Sequence, residues 1–280
     1  MLGSTFESER IQVAGLVVSE YCKNYSHPSA LQSLGSWLKS ENIPAIEGID
    51  TRALTQKLRE KGTMPGRISN VKTQSSKPQL KAQNFDDPNK RNLVSEVSCT
   101  EPIVYEPSLQ ATNYKLQATV LLYDCGVKLS IIRCLLKRSC RVIRVPWDFE
   151  LTNYGKIRIN GIVISNGPGD PTKCEKTIEQ IKKQIVIRNS SFVIPILGIC
   201  LGNQIIALAA GAKTYKLKYG HRGQNQPVVD ELRRHAYITT QNHGYTVDIH
   251  TLPNDWKPWF TNLNDGTNEG LRHKTKPWMS

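Results

Sequence analysis

The chain has 280 residues, of which 39% are hydrophobic and 22% charged, so it has the length of about two globular domains and is too hydrophobic for wholesale disorder. No apolar run approaches the ~18 residues of a membrane span, and the start, MLGSTFESERIQ, is unlike a secretory signal. Residues 1–115 carry 14 basic and 12 acidic residues, whereas residues 116–280 carry 23 and 12, so most of the net charge of +13 lies in the second part. Because these basic residues are scattered, they favour an acidic partner surface over nucleic acid.

Cysteine spacing argues against a metal centre and against secretion. The odd number of cysteines includes no C-x-x-C pair, so neither a zinc site nor a thioredoxin-like motif is predicted. Reduced thiols in a cytoplasmic protein are therefore expected. The seven cysteines are Cys22, Cys99, Cys125, Cys134, Cys140, Cys174 and Cys200.

The first part of the chain predicts a small α/β domain followed by a connector. The expected elements are a buried strand over 11–18, a helix after Ser29, a short strand over 43–49, and a helix capped by Asp50 and ended by Gly62. From about residue 70 to 115, polar residues and proline dominate, with short apolar islands at Leu93–Val97 and Ile103–Tyr105, which indicates irregular structure. We therefore predict a first domain over 1–100, a linker over 101–116 and a second domain over 117–280.

The second domain alternates predicted strands and helices. Strands are expected over 118–123, 141–145, 161–165 and 192–199, and helices over 127–137, around Ile178 to Ile185, and over 201–211. This rhythm predicts the α/β class, with a mostly parallel, doubly wound sheet. Ligands of such sheets bind at the carboxyl ends of the strands, which directs attention to the loops at 166–170 and 198–202.

Cys200 lies in the second loop, where GICLG joins a predicted strand to a predicted helix. This pattern is typical of a nucleophile elbow, in which flanking glycines relieve crowding. The helix dipole is expected to lower the thiol pKa, and the backbone N–H of Leu201 could stabilise an oxyanion. The alternative is a structural cysteine at a tight turn, and the loop at 166–170 could equally be a plain β-turn.

Three segments carry a resemblance to class I glutamine amidotransferases: GICLGNQIIALAAGAKTYKLKYGHRGQNQPV, NGPGDP at 166–171 and QNHGY at 241–245. YDCGVKLSIIRCLLKR, AGLVV and IPAIEGIDTRALTQKLREKG resemble more narrowly the small, glutaminase part of carbamoyl-phosphate synthetase, in its eukaryotic pyrimidine-pathway form. The resemblance covers nearly the whole chain and is weakest over residues 70–115. It implies that the first domain is the small-subunit N-terminal domain of that family.

The resemblance also implies a reaction. A thiolate, that of Cys200, attacks the side-chain amide of L-glutamine, ammonia leaves, and water hydrolyses the thioester. Ammonia would serve carbamoyl phosphate synthesis in a large synthetase part, fused or separate, that uses ATP and bicarbonate, so no cofactor is expected in this part. The implied glutamine-binding residues are Gly167, Gly169, Leu201, Gln204, Asn242, Gly244 and Tyr245.

The chain departs from the family at several places. Asn203 stands where the family usually has His, and Tyr245 where it has Phe. The family's base is a His followed two residues later by Glu, and no His follows His273. An upstream stretch that supplies a glutamine-binding serine is also missing, so we expect a unit incomplete at both ends and a poor glutaminase by itself.

The remaining histidines offer no obvious substitute for that base. His243 lies in the QNHGY segment, but its position is not that of the family's base. We expect the others to be surface or packing residues: His221, His235, His250 and His273.

Two other functions stay open. The chain could be a non-catalytic, truncated product that binds glutamine or the synthetase part. It could also be a glutaminase for another acceptor, such as in anthranilate or GMP synthesis, although the first domain argues against this.

Overall fold

The computed structural model describes residues 5–68, 87–107, 118–151, 157–186 and 193–280. The chain divides into two compact units, Met1–Asp87 and Pro88–Ser280. Much of the predicted connector and the start of the strand predicted over 192–199 lie outside the described residues, and the predicted domain limits stay a prediction. Among the helices that are described, none combines the length and the apolar character needed to cross a membrane.

Over its described residues, the first unit has two helices and a two-stranded parallel sheet. These are β1 (Leu16–Val17), α1 (Leu34–Ser40), β2 (Ala45–Ile46) and α2 (Thr51–Lys61). Asp50 caps α2 as predicted, since its side chain accepts a hydrogen bond from the N–H of Ala53 at 2.9 Å, and the helix ends at Gly62 with φ +87°. The prediction of a buried strand over 11–18 is wrong, because the ladder is two residues long and leaves Val13 and Val17 exposed. The short strand predicted over 43–49 is present as Ala45–Ile46.

The second unit is built on one ten-stranded sheet. Its first elements are α3 (Leu93–Val97), β3 (Ile103–Tyr105), β4 (Ala118–Asp124), α4 (Leu129–Leu136), β5 (Cys140–Pro146), β6 (Gly161–Ile164), α5 (Glu175–Val186), β7 (Ile196–Gly198) and α6 (Leu201–Ala210). The later elements are β8 (Lys213–Asp230), β9 (Ala236–Asp248), β10 (Trp256–Asn262), β11 (Asn268–His273) and β12 (Trp278–Met279). The strand order is β3-β5-β4-β6-β7-β12-β11-β10-β8-β9.

The centre of this sheet is parallel and its margins are antiparallel. Strands β5, β4, β6, β7 and β12 run in one direction. The predicted α/β class is confirmed, and the antiparallel strands β8–β11 extend the parallel core on one side. On the other side, the apolar island at Ile103–Tyr105 forms the edge strand β3, antiparallel to β5.

Helices cover both faces of the parallel core, as the buried, apolar strands require. Successive residues of β4 point to opposite faces, so Val120 and Leu122 pack in the cluster that contains α4. Leu121 and Tyr123 pack instead in the larger cluster that contains α5 and α6. Because β4, β6 and β7 are parallel, their carboxyl ends lie at the same end of the sheet.

Candidate active site

Cys200 occupies a sharp turn between β7 and α6, with φ +56° and ψ −103°. A positive φ is uncommon for any residue other than glycine. A Cβ at Gly198 would lie 2.5 Å from the backbone of Gly202, and one at Gly202 would lie 2.3 Å from the carbonyl oxygen of Ile164. The predicted strand–turn–helix elbow is therefore present, and both glycines are required by backbone packing.

The thiol of Cys200 faces the neighbouring strand β9. Its Sγ lies 4.0 Å from the backbone carbonyl oxygen of Asn242, at the limit of a thiol hydrogen bond. Although Cys200 is exposed as a residue, burial of the thiol raises its pKa above the ordinary value. The backbone N–H of Leu201 and the charge of Lys128 act in the opposite direction, and the charge of Glu269 adds to the rise. The prediction of a lowered pKa is therefore wrong, because desolvation outweighs the effect of the helix terminus.

Gly167 and Gly169 lie in the loop after β6. A Cβ at Gly167 would lie 2.0 Å from the carbonyl oxygen of Cys125 and 2.6 Å from Cδ2 of Leu201, so the loop packs directly against the start of α6. Gly169 has φ +87° and faces the side chain of Leu93. Both glycines thus meet packing requirements, and their contact with glutamine stays a prediction.

Gln204, one turn into α6, is tied to β9. Its Nε2 donates a hydrogen bond of 2.6 Å to the backbone carbonyl oxygen of Tyr245. With the approach of Cys200 to Asn242, this bond places two predicted glutamine-binding residues of the strand beside the elbow. Gly244 lies between Asn242 and Tyr245 along β9. A Cβ added at Gly244 would lie 3.8 Å from Nη2 of Arg222.

Sequence reasoning missed a polar cluster beside this segment. His221 on β8 pairs in register with His243 on β9, and their Nδ1 and Nε2 atoms lie 3.2 Å apart. The two carboxylate oxygens of Glu269 on β11 face one ring each. Oε1 lies 3.1 Å from Nδ1 of His221, and Oε2 lies 3.1 Å from Nε2 of His243. Asp265 lies 2.8 Å from Nε2 of His221. The cluster is drawn from the GHRG, QNHGY and NDGTNEG segments, which are separated along the chain.

Two members of the cluster, His243 and Asp265, have shifted pKa values. Burial lowers the pKa of His243, but the hydrogen bond and charge of Glu269 outweigh it and hold that pKa above its ordinary value. Burial raises the pKa of Asp265, but hydrogen bonds from Thr267 and His221 outweigh it and hold that pKa below its ordinary value. At His243 and Asp265 the hydrogen-bonded, charged partners therefore outweigh burial.

The other histidines divide between packing and surface. His221 is buried and hydrogen-bonded within the polar cluster. His273 packs, as expected, between Trp256 and Trp278. His235 and His250 are exposed, as expected.

Asn203 is buried. Its Oδ1 accepts a hydrogen bond of 2.7 Å from the hydroxyl of Ser280. The oxygen of that hydroxyl accepts a second hydrogen bond, of 3.0 Å, from the backbone N–H of Leu271. Asn203 thus joins α6 to the β11–β12 region.

The sheet and the sharp turn at Cys200 define an α/β protein with a cysteine between a strand and a helix. Residues 121–280, more than half of the chain, match the family model described as Glutamine amidotransferase class-I, and the chain belongs to that family. Residues 2–68 match a second model, described as Carbamoyl-phosphate synthase small chain, CPSase domain. Together the two matches confirm the resemblance to the carbamoyl-phosphate synthase small chain.

Relatives share this organisation over the whole chain. Multifunctional protein CAD from Squalus acanthias is 48% identical over 280 residues, which are 100% of this chain and 12% of that protein. The Carbamoyl phosphate synthase arginine-specific small chain of Neurospora crassa is 47% identical over 98% of this chain and 58% of its own length. The protein of the same description from Saccharomyces cerevisiae is 45% identical over 98% of this chain and 64% of its own length. This chain therefore spans less than two thirds of each of these relatives.

Proposed function

We propose that this chain is the glutamine-hydrolysing part of a carbamoyl-phosphate synthase, which supplies ammonia for carbamoyl phosphate in the pyrimidine or the arginine pathway. The observation that carries the proposal is the position of Cys200, held at a positive φ at the carboxyl end of the parallel core. The names of the relatives, CAD and arginine-specific small chain, support the same activity.

The reaction follows from thiol chemistry. The thiolate sulfur of Cys200 attacks the side-chain amide carbon of L-glutamine, and the carbonyl oxygen gains the negative charge. The C–N bond then breaks, and the nitrogen takes a proton and leaves as ammonia. Water attacks the thioester carbon, the C–S bond breaks, glutamate leaves, and the sulfur regains a proton. No cofactor takes part in these steps.

Residues around the elbow have separate roles in this proposal. The backbone N–H of Leu201, at the first position of α6, stabilises the oxyanion. Because burial keeps the thiol of Cys200 protonated, we expect slow turnover by this chain alone. We propose that the substrate is held by polar side-chain and backbone groups of Gly167, Gly169, Leu201, Gln204, Asn242, Gly244 and Tyr245.

The partner in this proposal is a large synthetase part that uses ATP and bicarbonate and receives the ammonia. We propose a cytoplasmic location, which is supported by seven cysteines without disulfides. A soluble partner with an acidic surface would suit the basic second part of the chain.

Covalent labelling tests the nucleophile without requiring turnover. We expect a chloroketone analogue of glutamine to add one equivalent to the 280-residue chain, at Cys200, as measured by intact mass and peptide mapping. L-glutamine should slow the labelling, and Cys200→Ser should abolish it. Cys134→Ser, which removes another exposed cysteine, is the matched control and should label normally.

Hydrolysis is then measured as ammonia release by the chain together with its synthetase part. Labelling that persists in Cys200→Ser, or that L-glutamine does not slow, would contradict the proposal. Labelling at Cys200 without hydrolysis in the complex would favour the non-catalytic alternative.

A further inference from the structure

Three electron-pair donors converge at the centre of the cluster formed by His221, His243 and Glu269. The nearest atoms are Nδ1 of His221, Nε2 of His243 and the two carboxylate oxygens of Glu269, at separations of 3.1–3.2 Å. They come from β8, β9 and β11, so only the folded sheet brings them together.

Hydrogen bonds on the outer side of the two rings decide where the lone pairs point. Nδ1 of His243 lies 2.9 Å from the carbonyl oxygen of Tyr245, which can only accept, so Nδ1 carries the hydrogen. Nε2 of His221 faces the carboxylate of Asp265 at 2.8 Å and carries the hydrogen for the same reason. In the neutral rings, the free lone pairs therefore lie on the two nitrogens that face Glu269.

We propose that His221, His243 and Glu269 bind a divalent transition-metal ion of the zinc type. Two imidazoles and a carboxylate are a ligand set that zinc takes in proteins, and it leaves a fourth position for water. Zinc–nitrogen distances of about 2.0–2.1 Å in a tetrahedron separate the ligand atoms by about 3.3 Å. The two ring nitrogens lie 3.2 Å apart, and each lies 3.1 Å from a different oxygen of Glu269. With one ligand atom taken from each residue, the three atoms lie within 4.8 Å of one another, so the carboxylate has to turn to present one oxygen to the ion.

The surroundings have the organisation of a metal site. Histidine ligands usually donate their second N–H to a carboxylate or a carbonyl, which orients the ring. His221 has Asp265 in that position and His243 has the Tyr245 carbonyl. The side chains of His221, His243 and Glu269 each keep about a tenth of their surface exposed, which leaves an entry path for the ion.

An ion at this position would tie three strands together beside the elbow. His243 lies between Asn242 and Gly244, so occupancy would also restrict the segment proposed to hold glutamine. The binding site itself is independent of the proposed function, because its ligands do not include Cys200.

Cobalt(II) is the probe for this site, because it reports its ligands by absorption. We expect the chelator-treated, full 280-residue chain to bind one equivalent of Co²⁺, with visible bands of a four- or five-coordinate ion and no thiolate-to-metal charge transfer. Zinc should displace the cobalt. His221→Gln and Glu269→Gln should each weaken binding by about 100-fold or more, since even an outer partner is worth about 10–100-fold.

Two further variants separate a metal site from a folding defect. Asp265→Asn changes only the orienting partner, which is 42% exposed, and should weaken Co²⁺ about 10–100-fold without disturbing the fold. His250→Gln removes an exposed histidine and should bind as the parent chain does. Absence of saturable binding, a thiolate charge-transfer band, or binding that survives both His221→Gln and Glu269→Gln would overturn the proposal.

Discussion

Gln204 on α6 and Tyr245 on β9 are joined by a hydrogen bond of 2.6 Å from the side-chain Nε2 to the backbone carbonyl oxygen. The amide that is proposed to contact glutamine is thus already engaged by the protein. The hydrogen bond fixes β9, which carries Asn242, against α6, which begins directly after Cys200. Substrate binding through this amide would have to share or replace that bond.

We expect Gln204→Ala to lower the free energy of unfolding by about 1–3 kcal/mol, because a buried hydrogen bond and its packing are lost. The KM for glutamine should rise more than kcat falls, since the change affects the position of β9 and leaves the sulfur intact. Urea unfolding and steady-state kinetics in the complex measure the two effects. Gln56→Ala, on the exposed side of α2, should stay within about 0.5 kcal/mol. An equal effect of both substitutions would contradict this prediction.

The close approach of Gly202 to β6 gives a second prediction. A Cβ there would lie 2.3 Å from the carbonyl oxygen of Ile164, so Gly202→Ala should cost about 3 kcal/mol or more despite the better helix propensity of alanine. Thermal unfolding measures this cost. At Gly161, a Cβ would meet its nearest atom, the carbonyl oxygen of Pro195, at 3.8 Å, so Gly161→Ala should change stability by less than about 1 kcal/mol. A harmless Gly202→Ala would show that the elbow can relax.

Two arginines on β5 should differ strongly in their contribution to stability. Arg144 pairs at 2.7 Å with Asp124, whose side chain is fully buried, so Arg144→Met leaves a buried carboxylate without its partner and should cost about 3–5 kcal/mol. Arg141 pairs with Glu106 on the surface, and Arg141→Met should cost no more than about 1 kcal/mol. Urea unfolding of both variants tests the contrast. Similar costs would mean that other donors to Asp124 compensate for the guanidinium.

The raised pKa of Cys200 predicts how its reactivity depends on pH. A raised pKa means less thiolate near neutral pH, so alkylation by iodoacetamide should be slow at about pH 7 and still be rising above about pH 9. Because the charge of Glu269 contributes to the rise, Glu269→Gln should shift the profile to lower pH. Rates measured by mass spectrometry of the Cys200 peptide test both statements. A plateau below about pH 8 would contradict the first.

Local patterns in the sequence were sufficient for the helices and strands between Ala118 and Ala210, whereas β3 and β8–β12 were not predicted. The continuous apolar run of β4, the apolar period of 3.6 in α4 and α5, and the glycine that ends α6 predicted these elements to within a few residues. Glycines on both sides of Cys200 likewise predicted the elbow, because the turn is a local backbone requirement. In the first unit, the same kind of pattern predicted strands too long, because a two-stranded ladder could not cover them.

The sequence by itself thus determined the α/β class, the elbow at Cys200 and the family. Only the tertiary structure decided the protonation of the thiol and the convergence of His221, His243 and Glu269. The physical reason is the range of the interactions. Helix and strand periods, caps and tight turns depend on neighbours along the chain, whereas desolvation and the meeting of distant polar groups depend on which strands pair and in which register.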